Sequence, residues 1–331
     1  QEAYEDSGLD KAEFDRERFS VIFGSGVGGG TIGPEYSKVE KLGCNGISRM
    51  TIVLNLVNMA AANVAIKLKA YGSCTPITTA CATGTDCIGK AFRDIRDGYS
   101  DVVLAGAAEA SINPVIINGF AAIGALSKCD DPTRASIPFD KEREGFVMGE
   151  GSGALVLEEL EHALKRNAHI YAEVAAYGTT CDAYSLTSPD MHLTQGKRAF
   201  TNAMNEAGVE AKDIEYINAH GTGTKLNDKF ETQIIKSVFG ETNPNVAISS
   251  TKSMTGHLMG AAGAVEAIIT TKALVDDYVP ATIGYKVKDE ECDLNYTVNK
   301  GKNKKLNCVL SNSLGFGGHN AVLILKAYKG R

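Results

Sequence analysis

Thr75-Pro76-Ile77-Thr78-Thr79-Ala80-Cys81-Ala82-Thr83-Gly84-Thr85 reads as a buried strand, Thr75–Ala80, that turns at a cysteine into an apolar-periodic helix over Thr85–Gly98. The same alternation runs outward from this stretch. Strand-like runs at Phe19–Ser25, Asp101–Ala107 and Gly153–Leu160 complete the first half, with a further helix at Ile52–Tyr71. The second half has strands at His169–Tyr177, Ile214–Ala219, Val246–Ser250, Cys308–Ser313 and Ala321–Lys326, and helices at Thr194–Ala207 and Gly260–Asp277. Strands alternating with helices of this length predict an α/β fold whose sheets carry helices on their faces.

Two similar halves are expected, residues 1–164 and 165–331. The second counts five strands and the first four, so the first half of a duplicated fold lacks its opening strand here. Gln1–Gly8 reads as the tail of a helix stopped at Gly8.

Bulk properties narrow the function classes. With 331 residues, 44% hydrophobic and no Trp, the chain predicts a core of aliphatic and small side chains. A net charge of −6 and a pI near 5.6 argue against a nucleic-acid partner held by phosphate neutralisation. No run approaches the roughly 18 apolar residues of a membrane-spanning helix. Eight cysteines without a CxxC pair predict reduced thiols. Cys74, Cys81 and Cys87 fit no common zinc spacing, so neither a metal nor a cofactor is expected. The basic run Lys300, Lys302, Lys304 and Lys305 predicts a solvated hairpin or loop.

Gly24-Ser25-Gly26-Val27-Gly28-Gly29 satisfies G-x-G-x-x-G after a strand. A dinucleotide site needs a helix opening directly at the glycines and an acidic strand end about 20 residues on. Gly30-Thr31-Ile32-Gly33-Pro34 follows instead, and no such strand. The stretch predicts a tight strand-end turn that lets the backbone approach another chain or a narrow tunnel.

Cys81 stands where backbone N–H groups and a helix dipole stabilise a thiolate, which makes it the candidate nucleophile. Its competing reading is a buried structural cysteine. Cys74, Cys87 and the remaining cysteines are expected to serve packing. His220, in Asn218-Ala219-His220-Gly221-Thr222-Gly223-Thr224, ends one second-half strand. His257 closes Ser250-Thr251-Lys252-Ser253-Met254-Thr255-Gly256-His257 after another. Strand ends are where open α/β sheets hold ligands. His162, His169 and His192 lack such settings, and His319, in a glycine loop, is expected to be structural.

Those motifs, with Thr79-Ala80-Cys81-Ala82-Thr83-Gly84 and Ser311-Asn312-Ser313-Leu314-Gly315-Phe316-Gly317-Gly318-His319-Asn320, follow the order and spacing of the condensing enzymes of dissociated fatty acid synthesis. Over Tyr4–Lys326 the chain resembles the synthase II branch of the β-ketoacyl-acyl carrier protein synthases. The resemblance implies the thiolase fold in five α-β-α-β-α layers, a homodimer, and about 80 upstream residues that include a central first strand. It implies an acyltransferase that condenses malonyl-acyl carrier protein with an acyl chain held on Cys81. His220 and His257 would donate to the malonyl thioester, and the N–H groups of Cys81 and Phe316 would form the oxyanion hole. Lys252, paired with Glu266, would support them; Thr222 and Thr224 would bind the pantetheine arm, and Phe316 and Val27 would gate the acyl pocket. Acyl carrier protein is the implied partner and a bacterial cytoplasm the implied location, with a plastid or mitochondrion as alternatives. Cys129, Asn45 and Ile137 stand where relatives often carry basic residues; Lys128, Arg49 and Lys41 offer replacement charge for carrier docking. The alternatives are a polyketide-type ketosynthase, a non-catalytic partner subunit or an inactive fragment. A thiolase is disfavoured because Cys308 lies in a strand.

Overall fold

The segment Phe19–Gly24 is buried at every position, as a strand covered on both faces must be. Its alternate side chains enter two different cores: Phe19, Val21 and Phe23 face one, and Ile22 faces the other. This period of two repeats throughout the computed structural model, which describes residues 1–28, 32–240 and 245–330.

The first half runs α1 (Glu2–Asp6), β1 (Phe19–Gly24), α2 (Ile32–Leu42), α3 (Thr51–Asn55), α4 (Met59–Leu68), β2 (Cys74–Thr75), α5 (Thr83–Arg96), β3 (Val102–Glu109), α6 (Pro114–Ala122), β4 (Gly151–Glu158) and α7 (Leu160–Lys165). The second runs β5 (Glu173–Cys181), α8 (Thr194–Ala207), β6 (Tyr216–Asn218), α9 (Lys225–Phe239), β7 (Ala247–Ser249), α10 (Lys252–Thr255), α11 (Ala262–Asp276), β8 (Tyr278–Val279), β9 (Lys302–Asn303), β10 (Cys308–Gly315) and β11 (His319–Lys326). One sheet has the order β2-β1-β3-β4 and the other β5-β11-β10-β6-β7. In each, three parallel strands are followed by one antiparallel strand: β2, β1, β3 then β4, and β7, β6, β10 then β11. Strand β5 adds a fifth, antiparallel to β11.

The layers are the expected α-β-α-β-α. Helix α4 covers one sheet's outer face and α8 and α9 the other's, while α5 and α11 lie between the sheets. Small residues let the two central helices touch. A Cβ on Gly84 would stand 2.3 Å from Ala264 N, and one on Gly263 would stand 2.2 Å from Thr85 Oγ1. The carboxyl ends of β1 and β10, at Gly24 and Gly315, lie beside the turn that opens α5, and the chemistry gathers there.

Several expectations are corrected. The strand over Thr75–Ala80 is only Cys74–Thr75, because Pro76 has no N–H to continue the ladder. The helix over Ile52–Tyr71 is two helices, α3 and α4. The glycine turn does approach backbone, but that of Gly260 in the same chain; its Gly29 lies outside the described residues, as do Gly30 and Thr31. The basic run is solvated as expected, with Lys300, Lys302 and Lys305 exposed, and Lys304 alone turns in to donate to the carbonyls of Glu215 and Asn245.

Candidate active site

Cys81 sits in a 3-10 turn, Ala80–Ala82, that leads into α5. Gly315, at the end of β10, passes close beside it: a Cβ there would stand 2.8 Å from Thr79 O and 3.4 Å from Cys81 N. This close passage brings the next residue, Phe316, to donate its backbone N–H to the Cys81 sulfur. Cys81 is 9% exposed, packed with Phe146 and Met259. Burial pushes its thiol up to about 11, against the lowering pull of Lys252 and the Phe316 N–H. The turn alone predicted a stabilised thiolate; desolvation outweighs that tendency when the site is closed to water.

His220 follows β6 on a backbone clamped from below. Its N–H and that of Gly221 each donate to Glu231 at 2.7 Å, and Ser250 Oγ donates to Gly221 O at 2.6 Å. Asn312 Nδ2 donates to the same Glu231 carboxylate at 2.7 Å, and burial raises that group to about 7. Lys252 Nζ donates to His220 O at 2.6 Å and to Glu266 Oε1 at 2.5 Å, and faces His220 Nδ1 at 3.3 Å. An ammonium only donates, so Nδ1 accepts and the ring proton of His220 sits on Nε2.

His257 precedes α11, its backbone bonded to Val147 O and Gly149 N at 2.7 and 2.9 Å. Its ring stands edge-on to His220 at 5.3 Å and to Phe146 at 5.2 Å. Burial, then Lys252, holds both imidazoles well below their usual range, so both are neutral near pH 7. A desolvated pair of neutral N–H donors beside a sulfur can stabilise negative charge developing on a substrate oxygen.

Cys81, His220, His257, Thr222, Thr224 and Phe316 all line one cavity of about 490 Å³. That size suits a small-molecule site. Thr222 and Thr224 share a hydroxyl hydrogen bond of 2.9 Å at its wall. Lys252 and Glu266 lie behind the wall as a buried ion pair. Val27 stands outside the lining, on the turn after β1, half-exposed, with its N–H donated to Glu109. His319, read as structural, lines the cavity, and Cys74, Cys44 and Cys181 are exposed rather than packed.

The sequence reading missed Glu231 and the buried Arg143, which bonds the carbonyls of Thr224 and Lys225 and pairs with Asp228 and Asp289. One signal was available: Asp228 and Glu231 share the inward face of α9 at a spacing of three. Acids so placed on a buried face call for partners.

Family comparisons agree with this geometry. The model of the β-ketoacyl synthase N-terminal domain matches residues 1–163 and that of the C-terminal domain residues 171–286. Relatives described as 3-oxoacyl-[acyl-carrier-protein] synthase 2 from Synechocystis sp. and Staphylococcus aureus are each 44% identical over 99% of this chain and 80% of their own length. A type II polyketide ketosynthase solved with its acyl-carrier protein superposes with a TM-score of 0.95 at 36% identity, covering 98% of this chain and 82% of that one. A β-ketoacyl synthase from Burkholderia phymatum superposes at 0.93 and 32% identity, over 99% and 80%. With both domain models matched and relatives this similar along nearly its whole length, the chain belongs to the β-ketoacyl synthase family.

Proposed function

We propose that this chain is an acyltransferase that elongates acyl chains on acyl carrier protein by decarboxylating condensation. The observation that carries the reading is one cavity holding the Cys81 sulfur, the Phe316 N–H and two neutral imidazoles. In the first stage the Cys81 sulfur attacks the carbonyl of an acyl-carrier thioester. The carrier's C–S bond breaks, and the carrier leaves as a thiol with the proton that Cys81 gives up. In the second stage malonyl-carrier protein loses CO₂. The electron pair of the broken C–C bond becomes a thioester enolate, whose oxygen accepts from the N–H groups of His220 and His257. Hydrogen bonds that strengthen as this charge grows act on the transition state rather than the bound substrate. The enolate carbon attacks the acyl-Cys81 carbonyl, and the oxyanion is held by the N–H groups of Cys81 and Phe316. The Cys81–acyl bond then breaks, and the thiolate regains a proton.

Lys252, neutralised by Glu266, keeps the His220 proton on Nε2. Thr222 and Thr224 hold the pantetheine arm, and Phe316 borders the acyl pocket. A polyketide-type reading, favoured by the solved ketosynthase, has the weaker support: 36% identity against 44% for the fatty-acid relatives.

The chain acts as a homodimer whose halves divide at residues 164 and 165. Support comes from the open edge of β2, where Cys74 and Thr75 are exposed, and from the exposed apolar side chains Ile52, Leu54, Val57 and Ile66 of the neighbouring segment. An unpaired edge beside an apolar patch favours a second copy. Action in the bacterial cytoplasm is supported by the bacterial relatives; separately, no helix of the described residues is long and apolar enough to cross a membrane. Incubation with acyl-carrier protein is expected to leave one acyl group on the Cys81 peptide by mass spectrometry. An unmodified Cys81 in folded protein would refute the reading.

A further inference from the structure

Glu109 closes β3 and is 5% exposed. Among the described residues no basic side chain forms an ion pair with this carboxylate. A buried charge without a counter-ion must be met by hydrogen bonds. Four donors meet it. Ser25 Oγ donates to Oε1 at 2.8 Å, Gly26 N to Oε2 at 2.8 Å, and Gly260 N to Oε2 at 3.0 Å. Val27 N reaches both oxygens, at 3.3 and 3.2 Å.

These donors come from two turns in opposite halves of the chain. Ser25, Gly26 and Val27 lie on the glycine turn after β1, and Gly260 lies on the turn after His257. The turns touch through bare backbone: a Cβ on Gly26 would stand 2.9 Å from Gly260 N, and one on Gly260 would stand 2.2 Å from Gly26 N. Met259, next to Gly260, holds a left-handed φ of 50° and packs on Cys81 and Phe146 in the cavity wall. One carboxylate thus fastens a turn of the first half to the stretch of wall between the sulfur and His257.

We propose that Glu109 is a positioning residue for the reaction at Cys81, clasping the Val27 turn to the Met259–Gly260 turn so that the nucleophile and His257 hold a fixed separation. This rests on the roles given to Cys81 and His257 above. Glu109 touches no substrate and acts through the two turns.

The test uses the full chain with Glu109→Gln, which keeps the shape but offers one acceptor oxygen and an NH₂ where four donors converge. Cys81 is first titrated with acyl-carrier protein, so that rates are counted per reactive site. Condensation kcat per titrated Cys81 is expected to fall about tenfold, since displacement of reacting groups by a fraction of an ångström costs rate. KM for acyl-carrier protein is expected to stay within about twofold, because Thr222 and Thr224 hang on other supports. A purely structural role would lower the titratable fraction and leave kcat per site unchanged, and that result overturns the proposal. Should Glu109→Gln fail to fold, Ser25→Ala removes one donor and is expected to lower kcat per site about twofold by the same mechanism; wild-type kcat there overturns it too. Failure of the wild-type chain to acylate Cys81 would strike the functional reading itself. Normal wild-type acylation with an unaltered variant would strike only the clasp.

Discussion

The two halves present equivalent strand ends to one cavity and arm them differently. In the first, β2 leads through Cys81 into α5; in the second, β7 leads through Lys252 and His257 into α11. The nucleophile end is built from small residues and backbone: Gly84 against Ala264, Gly315 against Cys81, and the Phe316 N–H on the sulfur. The histidine end stands on buried charge, with Glu231, Lys252 and Glu266 under His220. A sulfur that must accept and release an acyl chain needs room and oriented N–H groups. Histidines that must remain neutral donors need their tautomer held and their water removed.

Breaking one side at a time tests this division. The largest effect is expected from Cys81→Gln, which should abolish condensation while malonyl decarboxylation persists; adding His257→Ala should remove decarboxylation by about a hundredfold or more. Loss of decarboxylation in Cys81→Gln alone would show that the two ends are not separable. Next comes the thiol. Since burial lifts Cys81 to about 11, alkylation of the free protein should climb about tenfold per pH unit from pH 8 towards that value. A plateau already at pH 7 would mean that the N–H groups outweigh burial after all.

Lys252→Met leaves Glu266 without its cation in the core and frees the His220 tautomer. A loss of about 3–5 kcal/mol in urea unfolding is expected; a variant as stable as wild type would show that charge does not hold the histidine end. The smallest effect should come from Gly84→Ala, whose Cβ meets Ala264 N at 2.3 Å and should cost about 1–3 kcal/mol of overpacking. Full stability there would mean that α5 and α11 can slide apart.

Legibility in the sequence followed the same division. Cys81, His220 and His257 could be picked out because each follows a strand-like run and precedes small residues, a pattern local to a few positions. Lys252 and Glu266 came only with the family resemblance, since a lysine fourteen residues before a glutamate has no spacing rule of its own. Glu109, Glu231 and Arg143 escaped. The partners of Glu109 and Arg143 lie in other elements, 83 residues away for Glu109 with Gly26 and 81 for Arg143 with Thr224, and no local period carries that information; Glu231 showed only as a second acid at helical spacing from Asp228. The strand misread over Thr75–Ala80 failed at Pro76, where a single missing N–H outranks the run of strand-favouring threonines.

What the sequence by itself determined is the α/β alternation, the duplicated halves and the residues that stand at strand ends, because hydrophobic period and turn chemistry act between near neighbours. The tertiary structure alone decided that both histidines are neutral, that the Cys81 thiol is raised, that Glu109 holds backbone from across the molecule and that Glu231 clamps the backbone of His220 and Gly221. Desolvation and hydrogen bonding depend on what finally covers a group, and that is settled only when the two halves close on each other.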